Sequence, residues 1–202
     1  FVATSALIYK FLEQIGVRIF GRIIAVLIFA ANINILYLQS TAMTELLLIA
    51  SMTAGVYELM LWHKTQSVLS LIKSAFWIML STLIRYDGWF LFLLASALVV
   101  FEVFRNSGYK LNSFRKIEGT YILFATLAAL GVMLWFLWNL LIFKDPFYFA
   151  FGPYSAHAQQ DQLAEAGNLI TKGNIILSTQ HYLYALIYNS NLFISILGLI
   201  GA

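Results

Sequence analysis

Five stretches of the chain are apolar for long enough to be measured against a bilayer: residues 23–38, 46–62, 68–84, 89–104 and 120–143. A hydrocarbon core about 30 Å thick asks for about 20 apolar residues in a helix. A run the length of 68–84 rises roughly 26 Å at about 1.5 Å per residue, and snorkelling flanks with local thinning absorb the shortfall. A single helix over 68–104 would be roughly 55 Å long, too long for one crossing. The break Arg85-Tyr86-Asp87-Gly88 therefore has to turn the chain between two spans. Residues 1–9 read as the tail of a span, and residues 192–202 as about half of one. The pattern predicts an all-α, polytopic transmembrane helix bundle. It has about five full spans and partial spans at both ends, in one transmembrane domain over residues 1–202, a fragment of a larger protein.

The one long polar segment, about residues 144–174, is read as an outer loop. Loops beyond roughly 12–15 residues are usually functional or disordered. This one is not low-complexity and holds Pro146, Tyr148, Pro153, Tyr154, His157, Gln159, Gln160 and Asp161. Residues 175–188 follow with Tyr182, Tyr184 and Tyr188. Tyrosine favours the membrane–water boundary, so this stretch is expected to be an interfacial helix.

Composition agrees with lipid as the solvent. The chain is 61% hydrophobic and 10% charged, with a mean hydropathy of +0.84. A soluble domain is about one quarter charged, and this chain could not cover itself with a polar surface. Charge then sets orientation. Lys10, Arg18 and Arg22 precede the first full run; Lys64 and Lys73 lie between the second and third; Arg105, Lys110, Arg115 and Lys116 lie between the fourth and fifth. These nine of twelve basic residues fall in alternate connections, leaving Arg85, Lys144 and Lys172 for the others. The positive-inside rule makes the first set cytoplasmic. Residues 39–45, 85–88 and 144–174 are then expected outside. There is no cysteine, hence no disulfide or thiolate site.

Candidate chemistry gathers on that outer side. Gln39 opens a polar string that ends at Glu45, at the mouth of a span. Arg85, Tyr86 and Asp87 form the hairpin turn, and Tyr154 and His157 come from the long loop. Ionisable groups at a span are costly and mark functional sites by default. Structural explanations stand beside this. Arg85 with Asp87 could anchor the turn, Glu45 could complement a helix dipole behind Thr44 as cap, and His157 could be solvated. Glu58 and Glu102 lie near inner ends, where Glu102 can pair with Arg105 at i, i+3. His63 and His181 read as boundary residues. Phosphate-cradling glycine loops, His-Glu-x-x-His and Gly-x-Ser-x-Gly are absent from the sequence. No basic patch with interleaved aromatics suggests nucleic acid.

Three segments resemble the GT-C superfamily of membrane glycosyltransferases. The nearest group is that of the dolichyl-phosphate-mannose–protein mannosyltransferases and aminoarabinose transferases, a family-39-like type. They are Asn34-Ile35-Leu36-Tyr37-Leu38-Gln39-Ser40-Thr41-Ala42-Met43-Thr44-Glu45, Leu83-Ile84-Arg85-Tyr86-Asp87-Gly88-Trp89, and Asp145-Pro146-Phe147-Tyr148 with Pro153-Tyr154-Ser155-Ala156-His157. The resemblance implies transfer of a sugar from a polyprenyl phosphate, presented at the outer leaflet, to a hydroxyl on a glycan, lipid or protein acceptor. Arg85 would stabilise the departing phosphate. Glu45 or Asp87 would position substrate or help hold a divalent cation, and Tyr154 and His157 would line the sugar or acceptor pocket. Such enzymes carry their principal acidic base in a first outer loop, which here would lie upstream of residue 1, so residues 1–202 alone are expected to be inactive. Leu46 stands where the family writes proline. A transporter or channel component, and a scaffold without chemistry, are the alternatives. The transporter should show repeats, broken spans and midplane charge.

Overall fold

The computed structural model describes residues 1–106, 114–167, 171 and 173–201. Lys110 and Lys172, which enter the charge count above, lie outside the described residues, as do residues 168–170 of the long polar segment. The described residues are mostly helical, with no strand among them: α1 (Val2–Gln14), α2 (Ile19–Ala31), α3 (Ile33–Ser40), α4 (Glu45–Thr65), α5 (Val68–Ile84), α6 (Asp87–Asn106), α7 (Phe114–Phe143), α8 (Tyr148–Phe151), α9 (Ala156–Glu165), α10 (Ile175–Ser190) and α11 (Leu192–Gly201). They divide into two compact units, Phe1–Phe136 and Leu137–Ala202.

Among the described residues, three helices are long and apolar enough to cross a membrane: α4, α6 and residues Glu118–Phe143 of α7. The expected span 23–38 is a bent pair instead. α2 and α3 meet at 59° and make a fourth crossing if taken together. The break is at Asn32, whose backbone is extended (φ −68°, ψ 124°). Its Oδ1 accepts from the N–H groups of Asn34 (2.9 Å) and Ile35 (3.3 Å). An asparagine side chain that caps the next helix competes with continuing the previous one. The expected span 68–84 is the helix α5, 17 residues long and shorter than the other three.

The first unit is organised around α5. Its buried side chains are mostly small: Ser70, Ser74, Ala75, Ser81 and Thr82, with Leu71, Ile78 and Met79. Small residues let helices approach closely where lipid supplies no hydrophobic drive between them. Ser74 Oγ donates to the Gly55 carbonyl of α4 at 2.8 Å. On α6, a Cβ at Gly88 would collide with the Ser81 carbonyl of α5; on α7, one at Gly131 would collide with Thr82 Oγ1 and the Met79 carbonyl. Both glycines are there for backbone approach. Leu71, Ala75, Ile78, Val99, Phe124 and Ala128 join Leu59 and Trp62 in a core drawn from α4, α5, α6 and α7.

The polarity of α6 is inverted relative to a soluble helix. Phe90, Leu93, Leu94, Leu98 and Phe101 are exposed, while Ser96 and Glu102 are buried with Ala95, Val99 and Val103. A soluble helix turns its charged face to water. An apolar outer face over a partly polar interior suits lipid.

α1 and α2 form a tight corner through Gly16. Arg22 reaches back across it to the Val17 carbonyl (2.7 Å) and Glu13 Oε1 (2.5 Å), and lies 5.4 Å over the Tyr9 ring. In the second unit the described part of the long polar segment, expected as a loop, contains the helices α8 and α9. Ser155 Oγ accepts from Ala158 N–H and caps α9. Asn174 Oδ1 accepts from Leu177 N–H and caps α10. Phe143 and Tyr148 stack at 4.0 Å. The interfacial stretch expected at 175–188 is the helix α10.

Candidate functional site

The turn between α5 and α6 collects the charged groups at one end of the first unit. α5 stops at Arg85, which leaves the helix with extended backbone (φ −156°, ψ 159°) while its N–H still donates to the Ser81 carbonyl at 3.2 Å. The turn closes by Gly88 N–H to the Arg85 carbonyl (3.1 Å) and Trp89 N–H to the Tyr86 carbonyl (2.9 Å). α4 runs antiparallel to α5 through the two-residue connection Gln66-Ser67, so the start of α4 lies beside the end of α5. That brings Glu45 to Arg85 across forty positions.

Arg85 bridges two carboxylates. Its Nη1 donates to Glu45 Oε1 at 2.6 Å and its Nε to Asp87 Oδ2 at 3.1 Å. Both acids sit in the first turn of their helices, where the helix dipole favours negative charge. Nη2 is left without a protein acceptor among the described residues. Glu45 Oε2 is sealed from solvent and has no donor there. The trio carries a net charge of −1, and the guanidinium is held in one orientation by two of its edges.

Aromatic rings support the turn. Tyr86 meets Trp89 edge-on at 5.5 Å and packs on Trp135 of α7 at 5.7 Å. The indoles are fixed in turn: Trp89 Nε1 donates to the Thr82 carbonyl and Trp135 Nε1 to the Leu83 carbonyl, both at 3.1 Å. Burial raises the Tyr86 phenol above its ordinary value of 10.0, so at neutral pH it remains a proton-bearing hydroxyl.

The structure thus brings together Glu45, Arg85, Tyr86 and Asp87. Gln39 is exposed on α3 and shares no described polar contact with them. Tyr154 and His157 belong to the second unit, where their contacts are local. His157 Nδ1 lies 3.0 Å from Asp161 Oδ2, one helical turn on, with both groups exposed. The Tyr154 carbonyl accepts from Gln159 Nε2 at 3.2 Å.

A second polar cluster, unforeseen as a unit, lies at the other end of the bundle. Glu102 Oε1 accepts from His63 Nδ1 (3.1 Å), Arg105 Nη2 (2.9 Å) and Asn106 Nδ2 (3.0 Å). The Arg105 contact is the i, i+3 pair expected from sequence; the His63 contact is not local. The signal was present in topology, because α4 and α6 run in the same direction and their last turns share an end. Among the described residues no group of three or more histidines and carboxylates could hold a metal.

Fold and site together define a class: a helical protein whose described residues include three helices, or four with the bent pair, long and apolar enough to cross a membrane, with a two-carboxylate arginine turn at one end of its first unit. No protein-family model, no curated protein and no solved structure matches the chain.

Proposed function

We propose that this chain is part of a membrane glycosyltransferase. It would move a sugar from a polyprenyl-phosphate donor to an acceptor hydroxyl at the outer face of a prokaryotic plasma membrane. The observation that carries the reading is the bridged Arg85. A guanidinium gripped by Glu45 and Asp87 through Nη1 and Nε presents Nη2 in a fixed direction. That is the pre-organised donor a departing phosphate needs, since charge develops on the leaving oxygen as the glycosidic bond breaks. The aromatic floor of Tyr86, Trp89 and Trp135 offers flat surface to a sugar ring or prenyl unit.

The acids have a definite chemistry too. Glu45 and Asp87 are hard oxygen ligands and suit a magnesium-like cation bridged to substrate phosphate, which needs only one or two carboxylates. With no third ligand among the described residues, they do not suit a resident metal bound by protein alone. A bound cation would offset the charge of the phosphate beside a net-negative trio.

The test uses the full protein in membranes supplied with radiolabelled polyprenyl-phosphate sugars. Release of label from lipid by the wild type, abolished in Arg85→Ala at equal membrane insertion, supports the transferase. Equal release in both removes Arg85 from the reaction.

One observation favours a second reading, a transporter or channel component. The α2–α3 pair is broken at Asn32 by 59°, and broken spans are where transporters bind. Substrate-dependent flux into sealed vesicles without label release would select that reading.

A further inference from the structure

The far end of the first unit holds a cavity of about 680 Å³, at the end of the bundle opposite Arg85. Its walls include Trp62, His63, Leu71, Glu102, Arg105 and Thr120. A smaller space of about 250 Å³ lies on the α4–α6 side and is walled mainly by apolar groups, among them Val56, Met60, Leu98 and Phe101. The two share Trp62, His63, Glu102 and Arg105. A polar chamber thus adjoins an apolar groove along one charged seam.

The seam has unfilled hydrogen-bonding capacity of both signs. The Glu102 side chain is 8% exposed, and Oε1 takes all three of its donors. Oε2 has no donor among the described residues, yet it is not sealed off as Glu45 Oε2 is. It therefore opens on the space that Glu102 lines. Arg105 spends only Nη2 on Glu102, leaving Nε and Nη1 without an acceptor among the described residues. Trp62 is 4% exposed, and its indole N–H likewise has no acceptor there. A nine-tenths buried carboxylate with a free oxygen wants a cationic donor. A free guanidinium edge wants an anionic oxygen. Glu102 and Arg105 carry opposite charges with unfilled capacity on each, so the complement is a zwitterion. The apolar groove makes that zwitterion an amphiphile.

We propose that this seam binds a phospholipid whose headgroup is a primary ammonium joined to a phosphodiester, as in phosphatidylethanolamine. The ammonium donates to Glu102 Oε2, and the phosphodiester oxygens accept from Arg105 and the Trp62 N–H. One acyl chain lies along Met60, Leu98 and Phe101. A trimethylammonium headgroup has no N–H for Glu102, and a glycerol headgroup has no positive charge for it. The inference does not depend on the chain's being a transferase.

The experiment is lipid competition on the full chain. Protein purified in detergent is offered equimolar phosphatidylethanolamine, phosphatidylcholine and phosphatidylglycerol of the same acyl composition, and retained lipid is counted by native mass spectrometry. The wild type should retain the ethanolamine lipid at least about tenfold over the other two, the factor expected of one charge-assisted hydrogen bond. Glu102→Gln should abolish the preference over phosphatidylcholine, and Arg105→Ala should weaken retention of all three. Equal retention by the wild type would overturn the proposal without any variant having to fold. So would displacement of bound lipid by soluble phosphoethanolamine at matched concentration, which would make the apolar groove irrelevant.

Discussion

Replacing Arg85 separates a structural clip from a reaction group, because the two roles differ in size. The side chains of Arg85, Glu45 and Asp87 are 43%, 34% and 60% exposed. Ion pairs this open to solvent contribute about 0.2–1 kcal/mol each. Losing both should therefore cost about 1 kcal/mol of stability, a melting shift of roughly 2–4 °C for a unit of this size. A donor aimed at developing charge is worth far more to the reaction: removing one typically lowers kcat by about 10²–10³. Arg85→Ala should show that asymmetry, a small shift in thermal unfolding and a large loss of label release. Arg85→Lys should fall between, because a single ammonium keeps the charge but cannot hold both carboxylates and still present a fixed donor. Detergent-solubilised protein followed by tryptophan fluorescence gives the melting shift, and membranes with labelled donor give the rate. If alanine and lysine lose turnover only in proportion to lost folded protein, Arg85 is a clip and the transferase reading loses its main support.

Other outcomes follow from the packing. Gly131→Leu should destabilise the first unit by about 1–3 kcal/mol or more through overpacking against Thr82 and Met79, whereas the same change at Gly119, where a Cβ meets nothing, should be tolerated; thermal unfolding of the two variants compares them. Asn32→Ala removes the cap of α3 and should cost about 0.5–2 kcal/mol, with faster amide exchange in residues 33–40 as the local reading. The raised Tyr86 phenol should ionise above its ordinary value of 10.0. Its contribution to stability is present in full below pH 10.0 and lost as pH climbs through the higher folded value. Tyr86→Phe should therefore delete a late phase from the tyrosinate absorbance titration, and loss of an early phase would contradict the burial.

Hydropathy made the helical class and the position of most apolar helices legible, because lipid imposes a length and forbids unpaired backbone. It missed the break at Asn32, since averaging over a window hides one polar residue whose effect depends on where its side chain bonds. It also read residues 144–174 as loop, although Ser155 and Asn174 were legible as caps for α9 and α10. The candidate site divides the same way. Asp87 with Arg85 could be read from adjacency, and Glu45 could be placed at the same end of the bundle. The 2.6 Å contact between Glu45 and Arg85 needs the packing of α4 on α5, which small buried residues set and hydropathy does not weigh.

That packing explains why the charges are found where they are. Arg85 ends a helix, and Glu45 and Asp87 begin two others. The C-terminal dipole of α5 favours the cation, and the N-terminal dipoles of α4 and α6 favour the acids, so the backbone alone predisposes this end to the trio it holds. Gly88 lets α6 start hard against α5, which keeps Asp87 within reach of Nε. At the opposite end the order is reversed: α4 and α6 finish together, and their carbonyl ends favour His63 and Arg105 there. Glu102, an acid at that end, is buried and takes three donors on a single oxygen. The dipoles disfavour an acid at that position, the three donors on Oε1 offset that cost, and the free oxygen is where a ligand cation has the most to satisfy.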